Sequence, residues 1–333
     1  MQKAGFEPRK DLSGGIYAIA GICKNAGKTS FLNYLLEALE GTRLGVLTTG
    51  RDGEAKDEVF GNVKPAVRLP ENTLFTASVK TLEKLGSAVC IKQKLPYQIA
   101  TGSLWLLQTR RELQTEITGP ATALAQVETA KLMQKSGAEY VLIDGSLDRK
   151  SIALRPEVEG VFLVAGGSFG NLEQIISELQ RLIFLAKMPV CHFWQAGLPE
   201  NQICYYLSGK WQTTEWTSLL GNADELAELL FQKKPKVLYL PSALTDALYT
   251  KLKPALKSVN TVVVKHPLNL QIGKTALESL ASAHKLYCLY PFMIIALGLN
   301  SWSVTGGHLD SEQFRKSVRK LFPDLPVLDI YEP

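Results

Sequence analysis

The feature that most constrains how this chain folds is a short glycine-containing run, GICKNAGKTS, at residues 21–30. The five residues before it are apolar and predict a buried strand, whereas apolar residues recur at helical spacing over residues 31–39. A strand that passes through a glycine-rich turn into a helix directs backbone N–H groups and the positive end of the helix dipole toward one point. Such an arrangement binds phosphate groups, so we predict a phosphate-binding loop here.

Within this loop, the residue types suit a nucleoside triphosphate with its magnesium ion. We expect Lys28 to reach the β- and γ-phosphates and the Thr29 hydroxyl to bind Mg²⁺. The predicted nucleotide-binding residues are Gly21, Lys24, Asn25, Ala26, Gly27, Lys28, Thr29 and Ser30. The spacing departs from the common G-x-x-x-x-G-K-[ST] pattern, because five residues rather than four separate Gly21 from Gly27. The alternative interpretation is an ordinary strand–turn–helix joint with a solvated lysine.

Three further charged residues are candidates for the chemistry. Asp144 closes an apolar strand, where P-loop enzymes place a carboxylate that orders Mg²⁺ together with a residue such as Thr29; the alternative is a turn or capping carboxylate. Asp52 follows the second predicted strand and is a catalytic candidate for positioning water near the γ-phosphate, or else a residue of a polar turn. Lys24 is the other catalytic candidate: one subclass of P-loop ATPases uses an extra loop lysine across a dimer, although Lys24 is offset from that position.

The remaining apolar runs alternate with helical patterns, which predicts an α/β fold: a mostly parallel P-loop NTPase sheet with a second, smaller α/β domain. A weakly patterned stretch at 196–222 suggests a nucleotide-binding domain over 1–200 and a smaller domain over 201–333. Helices are predicted at 121–135, 172–186 and 311–321, with one more between the strands near 77 and 104. Strands are predicted at 16–20, 44–49, 73–77, 104–108, 140–143, 161–165, 189–194, 237–240, 261–264, 286–289, 293–299 and 327–330.

Composition excludes several classes of protein. The 37 basic and 32 acidic side chains give a formal net charge of +5 without a basic stripe, so no nucleic-acid partner is expected. No apolar run approaches the roughly 18 residues that a membrane span needs, and the first residues lack an apolar leader. The five cysteines are widely spaced without a C-x-x-C pair, which favours a reducing compartment; we expect a cytoplasmic protein.

The loop pattern resembles that of dethiobiotin synthetase-like members of the P-loop group that includes the MinD-type ATPases. This likeness covers mainly residues 16–50 and 140–145 and implies a dimerising, mostly parallel nucleotide-binding fold, hence a homodimer. Those ligases carry a substrate-handling lysine just after the second strand, whereas this chain has Arg51 and Asp52 there. The departure counts against ligase or carboxylase chemistry.

A second set of motifs is similar to the KamB family: TGRDGE at 49–54, Gly119-Pro120, and DGSLDRKS at 144–151. Members of that family accompany the adenosylcobalamin-dependent lysine aminomutase of lysine-fermenting bacteria and belong to its reactivating system, together with a MutS-like companion ATPase. The likeness spans roughly residues 16–170. It implies that the ligand is ATP and that the partners are the aminomutase and the companion ATPase.

These observations favour a P-loop ATPase that binds Mg-ATP and acts on a protein partner. The chain has no guanine-type Asn-Lys-x-Asp motif in its first part, which favours ATP over GTP. Two rival interpretations stay open: an ATP-dependent ligase or small-molecule kinase of the dethiobiotin synthetase type, and a P-loop scaffold without turnover.

Overall fold

The structure is a computed structural model that describes residues 6–49, 51–52, 66–100, 102–146, 152–153, 155–303, 308–330 and 332. Its helices are α1 (Pro8–Asp11), α2 (Lys28–Ala38), α3 (Val79–Leu85), α4 (Ala123–Lys135), α5 (Leu172–Ala186), α6 (Ala223–Lys233), α7 (Asp246–Leu252), α8 (Lys274–Ala283) and α9 (Ser311–Leu321). Short 3₁₀ helices lie at Gly86–Ala88, Ala255–Ser258 and Pro267–Asn269.

The strands are β1 (Gly15–Gly21), β2 (Leu44–Thr48), β3 (Arg51–Asp52), β4 (Val67–Leu69), β5 (Leu74–Ser78), β6 (Val89–Ile99), β7 (Gly102–Thr109), β8 (Leu113–Thr115), β9 (Ile117–Thr118), β10 (Tyr140–Ser146), β11 (Gly160–Gly166), β12 (Cys204–Leu207), β13 (Lys210–Thr213), β14 (Val237–Leu240), β15 (Leu244–Thr245), β16 (Thr261–Val264), β17 (Leu270–Gln271), β18 (Lys285–Cys288), β19 (Ile294–Asn300) and β20 (Val327–Asp329).

The largest sheet has nine strands in the order β20-β19-β11-β1-β10-β2-β5-β7-β6. Neighbours from β20 to β5 pair in parallel, whereas β7 pairs antiparallel with both β5 and β6. The sheet is therefore mixed, and the expected α/β class is confirmed. Strands that run parallel in one sheet need crossover connections, and α2 provides one between β1 and β2, on either side of β10.

One face of this sheet packs against α2. Alternate residues of β1 and β10, Tyr17 with Ile19 and Tyr140 with Leu142, share a core cluster with Phe31 and the leucines of α2. Strand side chains alternate between faces, so this cluster identifies which strand positions face α2. Complete burial of each such side chain contributes about 1.5–3 kcal/mol.

Contacts divide the chain into two compact units, Met1–Ile176 with Ile294–Pro333 and Ser177–Met293. These bounds differ from the expected division at residue 200. The C-terminal segment belongs to the first unit because β19 pairs with β11, and β20 pairs with β19. The first of these pairings joins residues more than 100 positions apart, which a change in local composition does not reveal.

The second unit contains a five-stranded sheet in the order β13-β12-β14-β16-β18. The expected boundary stretch at 196–222 lies within this unit and contains the β12–β13 hairpin. Its turn residues Ser208 and Gly209 both have positive φ, 50° and 82°, as a two-residue type I′ turn requires. Burial raises the pKa of Cys204 and of Cys288 to about 11, so both thiols stay protonated near neutral pH.

The predicted strand at 189–194 is wrong. Val190 forms only an isolated bridge to Cys288, and the chain turns immediately afterwards. The apolar residues that produced the prediction pack as aromatic rings instead: Phe193 lies against Tyr287, and Trp194 lies against Tyr239. Over the described residues, every helix is too short or too polar to cross a bilayer.

Candidate functional site

The run 21–30 forms a turn between β1 and α2. Strand β1 ends at Gly21 and helix α2 begins at Lys28. Between them, Asn25 and Gly27 adopt left-handed backbone conformations, with φ of 61° and 98°. Left-handed residues next to right-handed ones turn successive N–H groups toward a common concavity that suits an anion. The predicted strand–loop–helix arrangement is thus present in the structure.

At two positions of this turn, the close approach of neighbouring atoms favours glycine over residues with a side chain. A Cβ at Gly21 would lie 3.0 Å from the carbonyl oxygen of Cys23 and 3.2 Å from the Cδ of Lys28. A Cβ at Gly27 would overlap the side-chain amide of Asn300, and the positive φ there is strained for any other residue. A larger residue at Gly21 would crowd other residues of the turn, and one at Gly27 would collide with Asn300.

The ends of two other strands hold the loop in place. The N–H of Ile22 donates to the Val164 carbonyl at 2.9 Å. Ala26 is fully buried, its carbonyl oxygen packs against the Cα of Gly166, and the Asn300 amide donates to it at 3.4 Å. Sequence reasoning missed Gly166 and Asn300, because only the assembled sheet brings the ends of β11 and β19 to the loop.

Lys28, Thr29 and Ser30 are the first three residues of α2, and all three are partly buried. The N-cap residue Gly27 has no side chain with which to cap this helix end. The first turn contains no acidic residue. The N–H groups of a first turn lie at the positive end of the helix dipole, so this end of α2 favours an anionic ligand.

Asp144 lies in the strand next to the loop. It is the fifth residue of β10, so the strand continues two residues beyond the point at which it was expected to close. In the parallel pairing of β1 with β10, Asp144 is opposite Ile19. Because Ile19, Tyr140 and Leu142 face α2, alternation places Asp144 on the same face of the sheet as Thr29. Its residue surface is 4% exposed.

Backbone contacts join Asp144 to the end of β2. The Asp144 carbonyl oxygen accepts from the Thr49 N–H at 2.8 Å and from the Thr48 hydroxyl at 3.3 Å. The carboxyl ends of β1, β10 and β2 are therefore adjacent. Ligands of open α/β sheets bind at this edge.

The second acidic candidate, Asp52, follows β2 at the same edge. Its strand β3 pairs antiparallel with β9, with Asp52 opposite Ile117. The next residue after β9, Gly119, packs so closely on Thr48 that a Cβ would overlap the Thr48 carbonyl oxygen. The backbone of β3 and β9 thus lies over the end of β2; the side chain of Asp52, and the segments 53–65 and 147–151, lie outside the described residues.

Lys24, the remaining candidate, is an exposed residue of the loop. Its predicted role across a dimer stays a prediction. Within the described residues, no three His, Cys, Asp or Glu side chains are grouped as a protein-only metal cage would need. A magnesium ion held by one hydroxyl, one carboxylate and phosphate oxygens does not need such a cage.

Comparisons with protein-family models, with curated proteins and with solved structures find no match to this chain.

Proposed function

We propose that this protein is a P-loop NTPase that binds Mg-ATP in the loop between β1 and α2. The observation that carries the proposal is the loop itself: left-handed residues Asn25 and Gly27 lead into an 11-residue helix whose first residues are Lys28 and Thr29. A helix N-terminus of this kind attracts phosphate through its N–H groups and its dipole. Lys28 adds a charge-assisted contact to the β- and γ-phosphates.

The residues present fit the magnesium ion as well. The Thr29 hydroxyl and the Asp144 carboxylate belong to neighbouring elements on one face of the sheet. Hard cations such as Mg²⁺ prefer oxygen ligands of these two kinds and complete their coordination with water and phosphate. When bound, the ion neutralises charge on the phosphates.

The first test is a titration calorimetry measurement of Mg-ATP binding to Lys28→Ala. Removal of a charge-assisted phosphate contact costs about 1.5–3 kcal/mol, so the variant should lose at least about tenfold in affinity. Lys257→Ala, an exposed lysine of the second unit, is the matched control and should bind as the wild type does. Equal affinities of the wild type and Lys28→Ala would overturn the proposal.

The metal assignment has its own test. Asp144→Asn should weaken nucleotide binding in Mg²⁺ more than in EDTA, because only the first condition contains the ion that the carboxylate orders. An equal loss of nucleotide affinity in both conditions would contradict the assignment of Asp144 as a magnesium ligand.

We further propose that the ATP-bound protein acts on a protein partner, as the resemblance to the KamB family implies. The partner is then an adenosylcobalamin-dependent aminomutase with its MutS-like companion ATPase. A tightly bound, damaged cofactor leaves only when the mutase opens, and a nucleotide shifts such an equilibrium through its differential affinity for two states. The backbone pairing of β3 with β9 over the end of β2 brings the Asp52 segment to the edge at which the γ-phosphate would lie.

The partner proposal predicts slow basal hydrolysis that rises when the mutase is added. The double variant Arg51→Ala/Asp52→Ala should lose this stimulation while its ATP affinity changes by less than about tenfold. Unchanged stimulation in the double variant would contradict the role of this segment. If the mutase does not stimulate ATP hydrolysis by the wild type, the proposal that the mutase is the partner is wrong.

One observation favours the alternative, a ligase or small-molecule kinase of the dethiobiotin synthetase type. Near the Gly119 turn, the Thr118 hydroxyl and the Gln126 side-chain oxygen are buried, and no described group forms a hydrogen bond with either atom. Buried polar atoms of this kind are satisfied when a polar ligand reaches them. Turnover that requires a small amino or carboxyl compound, without any protein partner, would favour this alternative.

A further inference from the structure

An exposed tryptophan lies close to the phosphate-binding loop in the fold. Trp302 is the second residue after β19, whose last residue is Asn300. In the sheet, only β11 separates β19 from β1. Trp302 is 47% exposed, unlike most large apolar side chains of this unit. Its exposed side chain is therefore accessible to a ligand at this end of the sheet.

Asn300 links the backbone of Trp302 to the loop. Its side-chain oxygen accepts from the Trp302 N–H at 3.1 Å. The amide nitrogen of the same side chain donates to the Ala26 carbonyl at 3.4 Å and covers the Cα of Gly27. One buried side chain thus bridges the loop and the residue that carries the indole.

Contacts of the two preceding residues, Asn300 and Ser301, fix the backbone next to Trp302. The Gly167 N–H donates to the Asn300 carbonyl at 2.9 Å, and a Cβ at Gly167 would lie 2.9 Å from the Ser301 carbonyl oxygen. The Ser301 hydroxyl bonds to that of Ser311 at 2.6 Å. Because these contacts involve strand and helix ends, the position of Trp302 relative to the loop is set by the sheet.

His308 completes an aromatic surface. Its ring stacks on the Trp302 indole, with centroids 5.5 Å apart and an interplanar angle of 21°. Its Nδ1 accepts from the Ser303 N–H at 3.1 Å, and this contact orients the ring. We call these two rings the Trp302–His308 platform.

We propose that the Trp302–His308 platform stacks the purine base of the nucleotide whose phosphates bind the loop. This inference rests on the proposed function and assigns the base-binding part of the same site. A stacked pair of rings with nearly half of the tryptophan accessible suits a planar aromatic ligand. Stacking recognises the π-face that every base has, so the platform binds adenine and guanine alike.

The test compares Mg-ATP with magnesium tripolyphosphate, which has the phosphates but no base. Loss of base–aromatic stacking weakens binding by about five- to hundredfold, so Trp302→Ala should bind ATP that much more weakly than the wild type does. The affinity of Trp302→Ala for tripolyphosphate should stay within about twofold of the wild-type affinity, which corresponds to a difference in binding free energy of about 0.4 kcal/mol. Trp302→Phe keeps an aromatic face and should retain most of the ATP affinity.

Two controls separate the outcomes. Phe231→Ala removes an exposed aromatic ring of α6 in the second unit and should change neither affinity. Lys28→Ala should weaken both ligands, because both use the loop. If Trp302→Ala lowers the affinities for both ligands equally, or lowers neither, the platform does not bind the base. The proposed nucleotide binding stands in either case. If the wild type binds neither ligand, the proposed function fails and the inference fails with it.

Discussion

Gly27 is a single residue on which both the backbone conformation and the packing of the loop depend. Its φ of 98° is strained for residues with a side chain, and the Asn300 amide occupies the space a Cβ would need. Asn300 is 4% exposed and forms hydrogen bonds on both sides of its amide, so it has little freedom to move aside. The loop therefore depends on glycine for both its backbone and its packing.

We expect Gly27→Ala to lower the free energy of unfolding more than Gly137→Ala does. Gly137 has a similar φ of 103° in the same unit, but a Cβ there meets only the flexible end of Arg43 at 3.8 Å. Backbone strain costs both variants about 1–2 kcal/mol, and overpacking costs Gly27→Ala about 1–3 kcal/mol more. Urea unfolding measures the difference, and equal losses would contradict the packing explanation.

At the scale of elements, α9 is joined to the end of the sheet by an ion-pair cluster. Arg315 donates to the buried Asp329 of β20 at 3.1 Å, and Arg319 donates to both carboxylate oxygens of Glu332 at 2.6 and 2.9 Å. The Arg319 hydrogen bond lowers the pKa of Glu332 from its ordinary value of 4.5, and burial acts in the opposite direction. These contacts secure the last strand of the sheet.

This lowered pKa predicts an acid dependence of stability. The ionised Glu332 carboxylate stabilises the folded state fully above pH 4.5, and this contribution is lost as the pH falls through the lower folded-state pKa. Arg319→Ala should remove about 0.2–1 kcal/mol at pH 7 and flatten the decline of Tm below pH 4.5. Lys320→Ala, an exposed neighbour on α9, is the control. Parallel pH profiles of the wild type and Arg319→Ala would contradict the role of the pair.

At the scale of the whole molecule, the residues of the candidate site all belong to the first unit. The loop, Asp144 and the Trp302–His308 platform lie in Met1–Ile176 and Ile294–Pro333. The second unit, Ser177–Met293, has its own sheet and its own core around Tyr239. Nucleotide binding should therefore affect the backbone of one unit.

Hydrogen exchange of the full chain tests this division. Saturating Mg-ATP should slow amide exchange in peptides that cover 19–30, 140–146 and 298–303, because bound ligand opposes local opening of the backbone it contacts. Peptides that cover β14 and β16 should exchange at unchanged rates. Lys28→Ala should show no change with the same ATP concentration, and equal slowing in both units would contradict a site confined to the first.

Several elements could be predicted because their patterns are local. Helices α5 and α9 have the bounds expected from apolar periodicity, and the strand–turn–helix geometry of 21–30 follows from its glycines and flanking apolar runs. The edge strand β6 was not predicted, because its apolar and polar residues do not follow a clear alternation: the three consecutive residues 92–94 are all polar and exposed.

The sequence by itself determined the turn at 21–30, since an apolar strand, glycines and a helix start are properties of adjacent residues. Only the tertiary structure decided what surrounds that turn. Asn300 reaches Ala26 across 274 positions, and β19 and β20 extend a sheet that begins at β1. Parallel pairing joins strands that are distant in the chain, and its hydrogen bonds use backbone groups that every residue has. Which strand ends meet at the loop is therefore a result of how the whole unit packs.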